Sequence, residues 1–241
     1  MKLGDFRVLT FDCYGTLIDW ETGIYTALGP MLTAGGLDVS RDRVLETFAE
    51  HESAQQRETP AMRYPELLAR VHARLAEQWN VNIADDLHAR FGASVPHWPA
   101  FLDAAESLAY LKRHYALVIL SNVDRESFAA SNRQLEVEFD AIYTAEDIGS
   151  YKPDPANFEY LLEHLEADLG FGRSDILHTA QSLFHDHEPA KRVGLATAWI
   201  DRRQGRGWGA TRPPGDRPEV DFHFPDLAAM VAAHRAEIGA T

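Results

Sequence analysis

The sequence of 241 residues contains one cysteine and no long apolar run. A single cysteine, Cys13, excludes an internal disulfide framework and a zinc site built from cysteines, and it favours a reducing compartment. The longest unbroken apolar stretch, residues 227–233, falls far short of the roughly 20 residues that a membrane-spanning helix needs. The N-terminal residues lack the apolar segment of a secretory signal. We therefore predict a cytoplasmic protein that does not bind a membrane.

Basic residues are also few, since 23 Lys and Arg stand against 37 Asp and Glu and the formal net charge is −14. A surface with this balance repels polyanions, which argues against nucleic acid and against an anionic membrane as partners. Hydrophobic residues make up 45% of the chain and charged residues 25%, which is typical of a folded globular protein and not of a disordered one.

Five short β-rich segments alternate with helical patterns along most of the chain. The strand segments are residues 7–11, 116–120, 141–144, 176–179 and 196–200. Apolar residues at helical spacing occupy residues 103–113, 156–165, 188–193 and 225–238. Nearly continuous apolar strands separated by helices predict a parallel sheet that is covered on both faces. The predicted fold class is therefore α/β, with a Rossmann-like parallel sheet as its core.

Residues 18–97 break this alternation, because they show helical spacing and almost no strand signal. Three helices are predicted there, around residues 44–48, 64–75 and 87–91. We interpret residues 18–97 as a helical cap inserted into a core formed by residues 1–17 and 98–241. A Gly-, Pro- and Arg-rich segment at residues 202–218 has no periodicity and predicts an exposed loop.

Polar side chains follow four of the predicted strands. Ligands of an open parallel sheet bind beyond the carboxyl ends of the strands, so we expect these side chains to meet in one crevice. Lys152 supplies an ammonium group, Asp12 and Asp186 supply carboxylates, and hydroxyl and amide groups accompany them. That combination fits covalent catalysis with an aspartate nucleophile. The candidates are Asp12, Tyr14, Thr16, Ser121, Asn122, Lys152, Asp154, Gln181, Ser182, His185 and Asp186.

Four segments around these candidates resemble the four motifs of the haloacid dehalogenase superfamily. They are FDCYGTL at residues 11–17, LSN at 120–122, YKPDP at 151–155 and QSLFHD at 181–186. Their order and spacing also fit, because the interval between the first two motifs leaves room for an inserted cap. The resemblance covers the whole chain and implies a Rossmann-like core in which Asp12 is the nucleophile.

Two departures from the motifs of the superfamily's phosphatases bear on metal binding. Those phosphatases have a second aspartate two residues after the nucleophile and another that opens the fourth motif, where this sequence has Tyr14 and Gln181. Mg²⁺ prefers carboxylate oxygens, so both changes weaken a magnesium site. His185 and His187 lack a third ligand nearby in sequence. We therefore predict no metal and no other cofactor.

A first motif with tyrosine at this position is similar to that of the (S)-2-haloacid dehalogenases, which are metal-free hydrolases. The resemblance implies hydrolysis of a small 2-haloalkanoic acid to the 2-hydroxy acid through an aspartyl ester. In this mechanism Asp12 attacks the substrate carbon, Thr16 orients Asp12, and Lys152 keeps Asp12 ionised. Asp186, Gln181 and Ser182 would position or deprotonate the water, while Ser121, Asn122 and the amides of Cys13 and Tyr14 would hold the carboxylate or the halide.

One feature of such dehalogenases is absent from the expected place. They carry an arginine on the first long cap helix, where it reaches the substrate carboxylate or the halide. Residues 48–51, FAEH, contain no arginine. Arg41, Arg43, Arg57 and Arg63 lie nearby in sequence, and the sequence does not choose among them.

Two other functions stay open at this level. One is a Mg²⁺-dependent phosphatase with altered ligands, and the other is a non-catalytic binding protein that keeps the fold. The expected partner of the enzyme is a small halogenated carboxylic acid. Helical insertions often expose apolar strips, so a homodimer formed through the cap is compatible with the sequence.

Overall fold

A six-stranded parallel sheet forms the core of the protein, whose computed structural model describes residues 1–215 and 217–239. The strand order is β3-β2-β1-β4-β5-β6, and every neighbouring pair is parallel. The α/β fold class and the parallel sheet are thus confirmed. The strands are β1 Val8–Phe11, β2 Ala116–Ser121, β3 Ala141–Thr144, β4 Ile176–Ala180, β5 Ala196–Ile200 and β6 Phe222–Phe224.

Both faces of the sheet are buried, because neighbouring residues of one strand enter different apolar clusters. Val8 of β1 packs in a cluster with Phe158 and Leu161, whereas Leu9 packs in a second cluster with Leu111 and Met230. All four residues of β1 are buried. This two-sided burial is the reason that the strands are continuously apolar and could be predicted from the sequence.

Ten α-helices accompany the sheet in the described part of the chain. They are α1 Trp20–Ala34, α2 Arg41–Glu58, α3 Tyr64–Gln78, α4 Asp85–Gly92, α5 Ala104–Leu111, α6 Arg125–Leu135, α7 Ala145–Ile148, α8 Pro155–Leu169, α9 Glu188–Arg192 and α10 Leu227–Gly239. None of them has the combination of length and hydropathy that a membrane crossing requires.

Helices α1–α4, which we call the inserted helices, lie between β1 and β2 in the chain. The three helices predicted here correspond to α2, α3 and α4, but α1 was not predicted. Its sequence contains Gly23, Gly29 and Pro30, which weaken the helical signal. A Cβ atom at Gly23 would lie 2.2 Å from the ring of Trp98, so glycine lets this indole pack directly against α1. The division into two domains stays a prediction.

Two further differences from the sequence-based prediction concern the last third of the chain. Strand β6 was missed because its three residues, Phe222–Phe224, are only partly buried at the sheet edge. The prediction that residues 202–218 form an exposed loop is wrong in part, because Gly209, Ala210 and Thr211 are buried. Two of the arginines responsible for the polar composition form ion pairs: Arg202 binds Asp103, and Arg203 binds Glu21. This segment therefore packs against α1 and the start of α5.

The strand order reverses between β1 and β4. A chain that winds in one direction and then in the other leaves a crevice at this point, and open α/β sheets bind their ligands there. Asp12 directly follows β1, and Asp186 lies six residues beyond the end of β4. The topology alone therefore brings the first and fourth motifs to opposite sides of one crevice.

Candidate active site

A small cavity of about 40 Å³ lies at the carboxyl ends of β1 and β4, beneath the inserted helices. One water molecule needs about 10–15 Å³ by a comparable measure, so the cavity admits a molecule of only a few heavy atoms. Of the predicted site residues, Cys13, Thr16, Ser121 and Asp154 do not line it. The predicted residues that do are Asp12, Tyr14, Asn122, Lys152, Gln181, Ser182, His185 and Asp186.

The ammonium group of Lys152 connects two buried carboxylates. Its Nζ lies 3.0 Å from Oδ1 of Asp12, 2.6 Å from Oδ1 of Asp186 and 2.8 Å from the carbonyl oxygen of Leu120. The Lys152 side chain is 1% exposed, so these contacts are shielded from solvent. An ammonium group has three N–H donors, and all three have an acceptor here.

These contacts shift the protonation of the three groups in different directions. Burial raises the pKa of Asp12 above its ordinary value, and Lys152 opposes that shift. Burial disfavours the ammonium form of Lys152, but Asp12 and Asp186 outweigh burial and raise the Lys152 pKa. Burial would also raise the pKa of Asp186, but Lys152 and His178 outweigh it and lower that pKa. The buried site thus favours the ionised form of Asp186 more than that of Asp12.

The turn after β1 fixes the orientation of Asp12. Thr16 donates a hydrogen bond of 2.8 Å from Oγ1 to Oδ2 of Asp12, and Oγ1 of Thr16 in turn accepts the amide of Gln181 at 2.9 Å. The chain reverses at Gly15, whose φ of +96° is unfavourable for residues with a side chain. A Cβ atom there would lie 3.0 Å from Nε1 of Trp20. Glycine thus allows both the turn and the close approach of Trp20.

Asn122 holds the main chain of Lys152. Its Oδ1 accepts the amide of Lys152 at 2.7 Å, and its Nδ2 donates to the carbonyl oxygen of Lys152 at 3.0 Å. The Oγ of the neighbouring Ser121 is buried and has no hydrogen-bond partner among the described residues. Asn122 therefore positions the lysine in addition to lining the cavity.

A histidine within β4 supports Asp186 from behind. Nε2 of His178 lies 3.0 Å from Oδ1 of Asp186, and its Nδ1 lies 2.8 Å from Oγ1 of Thr10. Since a carboxylate only accepts, Nε2 is the donor and Nδ1 accepts from the threonine. Sequence reasoning missed this contact, although a histidine inside the apolar segment ILHTA was a signal. Asp186 itself lies in a π-helical turn, Leu183–His187, that Ser182 begins.

The inserted helices contribute residues that the motifs did not reveal. Trp20, Glu52, Gln56 and Tyr64 line the cavity, as does Thr211 from the segment after β5. The hydroxyl of Tyr64 donates to Oε1 of Glu52 at 2.7 Å. Burial raises the pKa of Glu52 to about 7. Near neutral pH, helix α2 therefore presents the partly protonated carboxyl group of Glu52 close to residues 48–51, where the resemblance implied an arginine.

None of the four arginine candidates lines the inner cavity. Arg63 pairs with Asp124, Glu126 and Glu146, and Arg41 donates to Thr22. Arg43 pairs with Glu46 on the same helix.

Arg57 borders an outer chamber of about 340 Å³, which shares Gln56, Lys152 and His185 with the inner cavity. Arg212 borders the same chamber and lies over the ring of Phe184. Neither Arg57 nor Arg212 forms an ion pair with a residue that the structure describes. The wall of the outer chamber therefore contains two arginines that form no ion pair with a described residue, and one carboxylate, Asp154.

The geometry does not fit a magnesium site of the phosphatase kind. The hydroxyl of Tyr14 lies 2.9 Å from Oγ of Ser131, and Oε1 of Gln181 accepts the hydroxyl of Thr211 at 3.0 Å. Both side chains are thus engaged within the protein, and neither supplies a carboxylate. Among residues 1–215 and 217–239, no cluster of three or more His, Cys, Asp or Glu side chains could hold a metal ion.

The substitution Glu52→Gln is expected to stabilise the protein above neutral pH. Folding raises the pKa of Glu52 from 4.5 to about 7, so between these values the folded protein holds a proton that the unfolded chain has released. The free energy of unfolding of the wild type therefore falls, relative to the variant, as pH rises through this range. The difference in free energy of unfolding between the variant and the wild type is expected to change by about 3 kcal/mol across this range. Denaturant unfolding at pH 4.5 and pH 8 measures it.

Glu50→Gln is the matched control, because Glu50 lies on the exposed side of the same helix. It is expected to show no such change. If Glu52→Gln and the wild type lose stability in parallel at all pH values, the buried carboxyl group is not the cause.

A family model described as haloacid dehalogenase-like hydrolase matches residues 6–178 of the chain. Among curated proteins, the chain is 23% identical over 223 residues to (S)-2-haloacid dehalogenase 4A from Burkholderia cepacia. That match covers 90% of this chain and 87% of the relative.

Solved structures give a similar result for the fold. The chain is similar to L-2-haloacid dehalogenase from Xanthobacter autotrophicus with chloropropionic acid covalently bound, with a TM-score of 0.74 and 18% identity over 95% of this chain and 98% of that one. It is also similar to the HAD-hydrolase YfnB from Bacillus subtilis bound to magnesium, with a TM-score of 0.75 and 17% identity over 95% and 99% of the two chains. Identities this low show a shared fold alone. The family model, however, spans the first three motifs with Asp12 and Lys152, and the chain belongs to the haloacid dehalogenase-like hydrolase family.

Proposed function

We propose that this hydrolase converts a small 2-haloalkanoic acid to the 2-hydroxy acid through an ester of Asp12, without a metal ion. The observation that carries the proposal is the environment of Asp12. Its carboxylate is held by Lys152 and Thr16, while Tyr14 and Gln181 stand where a phosphatase would have carboxylates. The curated relative and one of the two solved structures named above are dehalogenases at low identity, which supports this choice of chemistry.

In the first step, a carboxylate oxygen of Asp12 attacks C2 of the substrate in line with the carbon–halogen bond. The new C–O bond forms as the halide leaves with the bonding electron pair. A halide ion needs no proton on departure, so the second aspartate of a phosphatase is dispensable and tyrosine is tolerated at position 14. Lys152 and Thr16 orient the attacking group, which is the main contribution of a positioned nucleophile.

In the second step, water attacks the carbonyl carbon of the ester and releases the hydroxy acid. Oδ2 of Asp186 is buried without a hydrogen-bond partner among the described residues, which supports its role here as the acceptor of a bond from this water. Gln181 and Ser182 complete the polar wall beside it. The oxygen of the water enters the Asp12 carboxyl group, and the original ester oxygen leaves with the product.

Substrate entry is assigned to the outer chamber. Arg57, Lys152 and Arg212 outnumber the one carboxylate of its wall, Asp154, on an otherwise acidic protein, which favours a carboxylate over a neutral molecule. Asn122 lines the inner cavity and offers a side-chain amide for the carboxylate or the halide, and the predicted roles of Ser121 and of the Cys13 and Tyr14 amides belong to the same proposal. The small volume of the cavity favours two- or three-carbon acids.

The proposal is tested by measuring free halide released from chloroacetate, bromoacetate, fluoroacetate and 2-chloropropionate, with and without EDTA. We expect halide from at least one acid and no effect of EDTA. No halide from a folded protein would contradict the proposal. Phosphate released from monoesters only when Mg²⁺ is added would favour the phosphatase instead.

A further inference from the structure

His185 has an imidazole nitrogen that the rest of the protein leaves unused. The side chain is 9% exposed and lines both the inner cavity and the outer chamber. Nδ1 lies 3.1 Å from Oγ of Ser182. Nε2 is buried and has no hydrogen-bond partner among the described residues. Buried polar atoms are almost always paired, so an unpaired one that lines a cavity indicates a bound molecule.

A second unpaired atom belongs to the next residue. Oδ2 of Asp186 is buried without a partner among the described residues, while Oδ1 carries the bonds to Lys152 and His178. Buried water typically has two to four polar partners, about the number that two such atoms and a substrate provide. Both side chains line the same inner cavity. The inner cavity is thus lined by two neighbouring residues that each have an unpaired polar atom, which a water molecule could satisfy.

The charge state of His185 suits a base. Burial lowers its pKa to about 4; Asp186 opposes this shift, and Lys152 and Arg212 add to it. The imidazole is therefore neutral near pH 7. Oγ of Ser182 accepts the backbone amide of His185 at 3.0 Å and has a second lone pair for an Nδ1 proton. In that tautomer Nε2 carries a free lone pair.

We infer that His185 is the general base for the hydrolytic water, which Asp186 holds in place. The inference rests on the proposed function and adds a residue to its second step. Asp186 is a poor base, because Lys152 and His178 stabilise its ionised form. Its carboxylate is better suited to orienting the water and stabilising the imidazolium that forms, as the aspartate of a serine-protease triad does.

The proton balance of the step closes within the site. An O–H bond of water breaks as its proton moves to Nε2 of His185 and its oxygen bonds to the ester carbon of Asp12. The tetrahedral intermediate expels the hydroxy acid, whose oxygen takes the proton back from Nε2. The remaining proton of the water leaves the regenerated Asp12 carboxyl group for solvent, so that one H⁺ and one halide are released per turnover.

With His185 as the base, only the hydrolysis of the ester depends on this residue. Formation of the ester does not, because the departure of halide needs no base. The substitution His185→Asn keeps an oxygen or nitrogen near the Nδ1 position and removes Nε2. We expect it to release about one equivalent of halide in a burst and then to turn over at least about 100-fold more slowly than the wild type. Intact-protein mass spectrometry after mixing with 2-chloropropionate is expected to show the protein carrying the dehalogenated acid.

His187→Asn is the matched control. His187 lies in the same π-helical turn, and burial lowers its pKa to about 4 as well. Its Nε2 lies 2.9 Å from the carbonyl oxygen of Ala180, and its side chain does not line the cavity. Loss of this bond is expected to lower the stability of the control, but the control is expected to accumulate no adduct.

A measurement on the wild type covers the case in which His185→Asn fails to fold. Adduct formed by the wild type near neutral pH and then shifted to lower pH should hydrolyse more slowly as pH falls toward about 4, since His185 then becomes protonated. Protonation of Asp12 does not affect this measurement, because the ester has already formed. A variant that turns over at the wild-type rate, or a folded variant that loses the burst too, would overturn the assignment; so would a hydrolysis rate of the adduct that is independent of pH. Absence of halide from the wild type would instead contradict the proposed function, and the inference with it.

Discussion

The substitution Asp12→Asn is expected to abolish dehalogenation. The neutral amide retains the size of the side chain and can still accept the hydrogen bond from Thr16, but it has lost the charge that makes the carboxylate a nucleophile. Loss of an enzyme's nucleophile costs on the order of 10⁴-fold or more in turnover. The measurement is halide release at saturating 2-chloropropionate, together with a search for the protein adduct, which should also be absent.

Heavy-oxygen water provides an independent check on the same residue. In a single turnover of the wild type, the label should enter the Asp12 carboxyl group, and the first product should carry the original oxygen. Asp19→Asn is the matched control for the Asp12→Asn variant, because Asp19 caps helix α1 and lies outside the inner cavity. If the label appears in the first product instead, water attacks the substrate directly and Asp12 acts as a base.

The substitution Lys152→Met is expected to have the second-largest effect. Removal of the ammonium group leaves Asp12 and Asp186 buried without their shared cation, and breaking such a buried ion pair costs about 3–5 kcal/mol of stability. The pKa of Asp12 should rise further, so the acidic limb of the pH–rate profile moves to higher pH. Loss of the stabilising charge is expected to lower turnover by about 10²-fold or more.

Two companion variants separate the effect on catalysis from the effect on folding. Lys112→Met removes a partly exposed lysine that pairs with Asp140, and it should leave turnover unchanged. The double variant Lys152→Met with Asp186→Asn removes one of the two stranded charges and should recover part of the stability without recovering turnover. A folded Lys152→Met protein with wild-type turnover and an unshifted pH profile would contradict the role of the lysine.

The part of the site that sequence analysis could predict is the part carried by strands. Buried parallel strands are continuously apolar, and their carboxyl ends share one edge, so Asp12 and Lys152 could be placed together before any coordinates were known. Their contact of 3.0 Å agrees with that placement. Prediction also identified Tyr14 and Gln181 as the departures that matter for a metal.

The remainder of the site depends on how helices pack against the sheet. Glu52 and Tyr64 meet through contacts between α2 and α3, and helical spacing gives the face of a residue but not the neighbour it will have. Thr211 belongs to a segment whose polar composition predicted an exposed loop. The ion pairs of Arg202 and Arg203, which hold this segment against the rest of the protein, cannot be inferred from the local sequence. His178 was hidden for another reason: a histidine in a buried strand gains its partner, Asp186, only when the turn after β4 folds back.

The complete set of acceptors around Lys152 has a consequence for the ester intermediate. The ammonium group that fixes Oδ1 of Asp12 in the resting enzyme remains anchored by Asp186 and by the carbonyl oxygen of Leu120 after Asp12 has been alkylated. If alkylation takes place at Oδ2, the same N–H that steadied the nucleophile then points at the acyl oxygen and polarises it for attack. One fixed side chain would thus serve as tether in the first half-reaction and as electrophilic catalyst in the second, with no rearrangement between them.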